Sequence, residues 1–221
     1  MIYLFHEDSG AATITLKDDA FKHMIKARRQ SVGDSILLRK LDDINNYTYT
    51  ITESSKKEAT LTLEKSEPAS QELKPLHIGW CMIDPKSIEK VLPSLCELGV
   101  TEISFIYANR SQKNFHLDEK RLERIMINAM QQCGRYEKMQ FHIDVSLDDF
   151  ITRNPQTVVL DFCEKSLSSE DHFQSVLLGP EGGFDEREKE LLEALDVRRL
   201  DTPMVLRSET AAIAIASKLL L

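Results

Sequence analysis

Near Pro75 the spacing of apolar residues changes from one period to another, so the two parts of this 221-residue chain cannot share one layer architecture. Residues 1–67 carry IYLF, SILLRK, YTYTITES and ATLTLEKS, short runs in which β-branched and aromatic residues alternate at period two and favour half-buried strands. One helical stretch, residues 18–30, lies among them, and Val32-Gly33-Asp34 ends it in a turn. This is the pattern of a small β-barrel. The stretch SEPASQELKP is polar, holds two prolines and has no apolar period, which predicts a linker over residues 68–75. From residue 76 to 221, LHIGWCM, EISFIYA, KMQFHI, QTVVLD and FQSVLLG read as strands, alternating with helices at 85–98, 118–133, 185–194 and 208–221. That rhythm predicts an α/β domain with a mostly parallel sheet covered on both faces. Gly99 and Gly134 close two of the helices, and Pro93 predicts a kink or early break in the first.

Composition narrows the function classes. No apolar run approaches the roughly 20 residues needed to cross a bilayer, and MIYLFHEDSG lacks the basic and apolar regions of a secretory signal. A cytoplasmic protein without membrane contact is expected. Cys81, Cys96, Cys133 and Cys163 form no CxxC pair, so neither a disulfide scaffold nor a metal site is expected. A net charge of −8 excludes general attraction to nucleic acid, and any RNA contact must be local. Between Lys17 and Lys40, Lys17, Lys22, Lys26, Arg28, Arg29, Arg39 and Lys40 outnumber Asp18, Asp19 and Asp34. That segment is either a phosphate-binding patch or a solvated helix face.

Two stretches near the C-terminus concentrate the chemistry. Leu177-Leu178-Gly179-Pro180-Glu181-Gly182-Gly183-Phe184 lies between a strand and a helix, and Asp185 followed by Glu188 gives that helix an N-cap signal. Such a loop lets a ligand approach main-chain N–H groups closely. It lacks the Gly-Lys-Ser/Thr ending of a phosphate cradle, and Glu181 repels phosphate, so a neutral or cationic ligand fits better. Its plainer reading is a tight connection. The second stretch, Thr202-Pro203-Met204-Val205-Leu206-Arg207-Ser208-Glu209-Thr210-Ala211-Ala212, places charged and hydroxyl groups at the entrance of a helix that is apolar on nearly all sides and therefore expected to be buried. A capping box with an Arg–Glu pair is the structural alternative.

Together these stretches resemble the two cofactor-loop signatures of the RsmE family of 16S ribosomal RNA uridine-N3 methyltransferases. Similar matches occur at Cys96-Glu97-Leu98-Gly99-Val100, Asn109-Arg110-Ser111, Gln131-Gln132-Cys133-Gly134-Arg135 and the segment from Lys22 to Asp34. Essentially the whole chain is covered. Thr202 and Met204 depart from the family, which usually has glycine and arginine there, as do Lys22, where histidine is usual, and Arg28, where leucine is usual.

The resemblance implies a PUA-like β-barrel at residues 1–67 and a trefoil-knotted SPOUT domain at 76–221, acting as a homodimer on 16S rRNA of the assembled small subunit. It implies an S-adenosylmethionine pocket formed by Leu160, Leu178, Gly179, Pro180, Glu181, Gly182, Gly183, Val205, Leu206, Arg207, Glu209, Thr210 and Ala211. Uridine N3 must lose a proton before it attacks the methyl group. Arg207 is then the expected partner for the developing negative charge, with Glu209 orienting it or acting as base and Glu181 the competing carboxylate. Lys26, Arg28, Arg29, Arg110, Gln132 and Arg135 are the expected RNA contacts. A methyltransferase with another rRNA or tRNA target, and a non-catalytic ribosome-assembly factor, are the alternatives.

Overall fold

A computed structural model describes residues 2–111, 114–168 and 170–221. It contains two compact units: residues up to Glu72 together with Met130–Tyr136, and Leu73–Ala129 with Glu137–Leu221.

In the first unit, β1 (Leu4–Phe5), β2 (Thr13–Leu16), β3 (Ser35–Arg39), β4 (Asn45–Ser54) and β5 (Ala59–Pro68) form one sheet in the order β1-β3-β4-β5-β2. β1 pairs with β3 in parallel, and the other pairings are antiparallel. Period-two alternation carries through: Tyr47, Tyr49 and Ile51 of β4 turn inward with Ile36, Leu38, Ala59 and Leu61. β2 was not anticipated, because TITL is too short to show a period by itself and is held by its pairing with β5. β5 extends to Pro68, so the start of the polar stretch is strand rather than linker. The helix predicted over residues 18–30 is shorter: α1 (Asp18–Phe21) widens into a π-helical turn, Lys22–Lys26, which brings Phe21, Met24 and Ile25 into the core. Arg29 takes a left-handed φ of 57°, which ends the helical run before residue 30.

Residues Met130–Tyr136 complete this unit. The Gln131 carbonyl accepts from the Ile2 amide at 2.6 Å, its side-chain Oε1 accepts from the Phe5 amide at 2.9 Å, and the Tyr3 hydroxyl donates to the Arg135 carbonyl. Arg39 is 2% exposed, with its guanidinium 5.3 Å from the Tyr3 ring centre and 4.2 Å from that of Tyr136. It therefore belongs to the core and not to the basic patch of which it was counted a part.

The second unit is built on six parallel strands in the order β11-β9-β10-β6-β7-β8. Its elements are β6 (His77–Cys81), α2 (Pro85–Leu98), β7 (Glu102–Ile106), α3 (Glu119–Cys133), β8 (Gln140–Val145), α4 (Leu147–Arg153), β9 (Val158–Leu160), β10 (Ser175–Leu178), α5 (Glu186–Leu192), β11 (Asp196–Arg198) and α6 (Ser208–Leu220). α3 contributes its residues from Met130 onward to the first unit. All of β10 is buried, as a parallel strand covered on both faces must be. Gly99 closes α2 at φ 96°, as its position predicted. Pro93 does not break α2, which stays helical to Leu98. α4 and β11 were not anticipated; the first is a short amphipathic turn capped by Ser146, the second a three-residue strand carrying two charges. α6 is buried only along Ala211, Ala212, Ile215, Ala216 and Leu219, its other apolar residues being half-buried, so the expectation of burial on all sides does not hold.

The chain advances outward through β6, β7 and β8 and then returns to place β10 beside β6, with β9 and β11 beyond it. The strand order thus reverses at the β6–β10 pair, and at such a reversal loops leave the carboxyl edge in opposite directions and open a crevice.

Gly79 of β6 faces α4 at the closest approach in this unit: a Cβ there would lie 2.4 Å from Phe150 Cζ. Gly79→Ala is expected to lower the unfolding free energy by about 1–3 kcal/mol in urea titration, with part of the loss recovered in a Phe150→Leu background. Equal costs in both backgrounds would refute the steric account.

Candidate active site

In-register parallel pairing sets Leu160 of β9, Leu178 of β10 and Trp80 of β6 in one row at the carboxyl edge, with Arg198 of β11 beside Leu160. Outside this row lies a cavity of about 420 Å³. Leu160 and Leu178 form its floor; Gly179, Pro180, Glu181 and Gly183 supply one wall, and Val205, Leu206, Arg207 and Ala211 the other. The two C-terminal stretches, some twenty residues apart in the chain, therefore meet. Of the residues assigned to this pocket from sequence, Gly182, Glu209 and Thr210 are not in its lining. Asp161, Phe162, Phe184, Arg199, Leu200, Thr202, Met204 and Ser208 line it without having been assigned.

The glycine loop is shaped by close contacts. A Cβ on Gly179 would lie 2.9 Å from the Phe184 ring, and Gly183 sits at φ 68° in a turn closed by its own amide on the Pro180 carbonyl at 2.9 Å. Gly182 faces away from the cavity, its carbonyl accepting from Arg110 Nη1 at 3.1 Å. On the opposite wall, Trp80 Nε1 donates to Ser208 Oγ at 2.7 Å, which fastens the start of α6 to the sheet.

A polar clamp holds the loop from behind. Asp185 and Glu188 form the predicted capping box, with the Asp185 amide donating to Glu188 Oε2 at 2.9 Å and the Glu188 amide to Asp185 Oδ1 at 2.8 Å. The clamp extends to the loop after β7: the Asn109 amide donates to Glu188 Oε1 at 2.6 Å and its side-chain amide to Asp185 Oδ2 at 2.7 Å. Glu188 is 5% exposed, so each of its oxygens has its partner indoors. The Glu188 amide, then the Asn109 side chain, hold the Asp185 carboxyl below its ordinary value of 3.8. A carboxylate so lowered adds stability that is complete above that value and is lost as the pH falls through the depressed one. Burial pushes the Cys81 thiol upward, which removes it as a nucleophile.

The rim carries Asp161 and Glu181 against Arg199 and Arg207, a balanced set of charges over an apolar floor. Arg207 caps α6 by its backbone alone; its side chain is exposed, and no ion pair joins it to Glu209 among the described residues. The capping-box alternative for this stretch is thus not formed, and Arg207 does not need a buried partner because it is not buried. Phe162 and Val205 are each 80% exposed and Met204 69%, so the cavity mouth is ringed by apolar side chains.

A model of the RNA methyltransferase domain matches residues 69–220. The ribosomal RNA small subunit methyltransferase E of Helicobacter pylori strain J99 is 34% identical over 222 residues, spanning 98% of both chains. The chain belongs to the ribosomal RNA small subunit methyltransferase E family. The Aquifex aeolicus member is 34% identical over 147 residues, covering 62% of this chain and 64% of its own. A crystal structure of the Neisseria gonorrhoeae member bound to S-adenosyl methionine superposes with a TM-score of 0.74 at 20% identity, over 98% of this chain and 95% of that one, which supports a common fold.

Within this family member the residues read as RNA contacts divide by exposure. Lys26, Arg28 and Arg29 are exposed in the first unit. Lys22 and Lys17 pair with Asp19 and Glu58 at 2.9 and 3.2 Å. Gln132 and Arg110 are exposed, the latter with one nitrogen engaged on Gly182. Arg135 is 3% exposed, because the run Gln131 to Tyr136 packs into the first unit, and its side chain is not presented to solvent. Of the unassigned lining residues, Thr202 and Met204 carried a signal, since both depart from the family; Phe162 and Arg199 carried none, lying in stretches without a motif.

Glu188→Ala strands two amide donors, and we expect it to cost about 1–3 kcal/mol in chemical unfolding, with Glu188→Gln costing less because one acceptor oxygen survives. An unchanged unfolding midpoint for the alanine variant would show that the clamp adds nothing.

Proposed function

We propose that this chain methylates N3 of a uridine in 16S rRNA of the assembled small ribosomal subunit, with S-adenosylmethionine as donor. The observation that carries the reading is the meeting of the loop Gly179–Gly183 and the segment Val205–Arg207 around one cavity at the carboxyl ends of β9 and β10, in a chain 34% identical over nearly its full length to an enzyme named for small-subunit rRNA methylation. The donor fits these residues. A volume of about 420 Å³ lies in the range of small-molecule sites, the floor is apolar, and the rim carboxylates suit a cationic sulfonium better than a phosphate. When bound, the donor supplies a methyl group already activated by its positive sulfur.

The chain's own residues then have four tasks. Leu160, Leu178, Val205 and Leu206 would hold the apolar parts of the donor, and main-chain groups of the glycine loop would offer it hydrogen bonds. The apolar rim of Phe162, Met204 and Val205 excludes water once the mouth is covered. Arg207 stabilises the charge that spreads over the uracil imide as N3 loses its proton. Glu181, which lines the cavity, takes the N3 proton in preference to Glu209, which does not. Lys26, Arg28, Arg29, Arg110 and Gln132 serve as contacts to the RNA, with Arg135 left as a packing residue.

The same reading assigns the strands of residues 1–67, continued by β5 to Pro68, to a PUA-like barrel, 69–75 to a linker and 76–221 to a trefoil-knotted SPOUT domain in a cytoplasmic homodimer. The exposed Phe162, Met204 and Val205, together with the half-buried apolar residues of α6, support a second copy covering this edge. Among the described residues no helix is long and apolar enough to cross a membrane.

Transfer of a labelled methyl group to undermethylated small subunits tests the reading, with primer-extension arrest locating the mark. Arg207→Ala is expected to lower turnover at least about 100-fold while calorimetric binding of S-adenosylmethionine persists. A mark at any other position, or unchanged turnover of the variant, would overturn the target or the role of Arg207 respectively.

A further inference from the structure

We propose that His77, Glu102 and His142 form a second site, a two-histidine, one-carboxylate centre for a divalent transition metal of the zinc class, at the edge of the sheet opposite the methyl-transfer cavity. The pairing of three adjacent strands builds it. His77 of β6 is the register partner of Glu102 in β7, and His142 of β8 is the partner of Ser104, two residues along β7. Register partners and residues two apart in a strand share a face, so all four side chains stand together on one side of the sheet.

The donor atoms of the three ligands lie within 4.8 Å of one another. Glu102 Oε2 is 3.7 Å from His77 Nδ1 and 3.2 Å from His142 Nε2, so a single carboxylate oxygen sits between two imidazoles. Donors around a tetrahedral zinc, with bonds of about 2.0–2.2 Å, stand about 3.3–3.5 Å apart, close to both separations. The outer shell is in place as well. His77 Nε2 is 2.8 Å from Ser104 Oγ, which leaves Nδ1 turned toward Glu102, and Phe150 meets the His77 ring edge-on at 5.1 Å. A cavity of about 770 Å³ opens over the group and also contains His172, giving the ion an entrance and leaving a coordination position for water or an outside ligand. Two imidazoles with one carboxylate select zinc-like ions over magnesium or calcium, which prefer oxygen alone. None of these residues touches the cavity assigned to methyl transfer. The expectation of no metal rested on the cysteines and did not reach this group, whose members stand far apart in the chain.

The test is titration of the full chain, stripped with chelator and exchanged into clean buffer, with Zn²⁺ by calorimetry and with Co²⁺ by visible absorption. One equivalent is expected to bind, with the absorption of four-coordinate Co²⁺, and Zn²⁺ is expected to raise the thermal midpoint. Ser104→Ala should weaken binding roughly 10–100-fold, and His142→Ala and Glu102→Gln by more, while His116→Ala, which alters an exposed histidine outside this cavity, leaves it unchanged. Thermal melts without metal establish that the variants fold, and His142→Gln stands in if the alanine variant does not. Absence of a saturable equivalent, or wild-type affinity in the His142 and Glu102 variants, overturns the proposal.

Discussion

In the second unit β10 is hydrogen-bonded between β9 and β6 with all three strands running the same way, and that register decides where the loops of consequence emerge. Antiparallel pairing would send alternate loops to opposite edges. Parallel pairing sends the ends of β6, β9, β10 and β11 to one edge, so segments remote in the chain become neighbours without any attraction between the segments themselves. The apolar content of β10, buried throughout, is what makes this arrangement stable. The glycine loop and the arginine segment are therefore placed by the core beneath them.

The same register places a different chemistry at the other edge. Side chains at the amino ends of β6, β7 and β8 stand side by side, and there the residues are histidine and glutamate rather than leucine. One sheet thus offers an apolar cavity with balanced charges at its carboxyl edge and a cluster of metal-class donors at its amino edge. α4 serves the second of these: Phe150 fills the space left by Gly79 and packs its ring on His77.

Motif residues prove to have two kinds of work. Asn109 and Arg110 lie in a stretch that resembles a family signature; Asn109 is spent on the Asp185–Glu188 cap, and Arg110, the expected RNA contact, gives one nitrogen to the Gly182 carbonyl. Gln131 and Arg135, in another such signature, pack against Tyr3 and Phe5 in the first unit. Arg39 contributes to a basic run in the sequence but is sandwiched between Tyr3 and Tyr136. A charge counted along a chain says nothing of its exposure, since a long side chain is buried wherever aromatic faces surround it.

The amino-acid order by itself determined the change of architecture near Pro75, the long strands and helices with their glycine ends, and the two stretches that line the cavity, because these rest on periodicity, local capping and short-range turn chemistry. It did not determine β2, α4 or β11, which are too short to display a period and exist through their neighbours. Only tertiary structure decided that Leu160 and Leu178 floor one pocket with Val205, that Glu181 lines it while Glu209 does not, that Arg135 is inside, and that two histidines and a glutamate converge. The physical reason is that backbone preference is local, whereas register between distant strands and the burial of each charge are settled by the packing of the whole core.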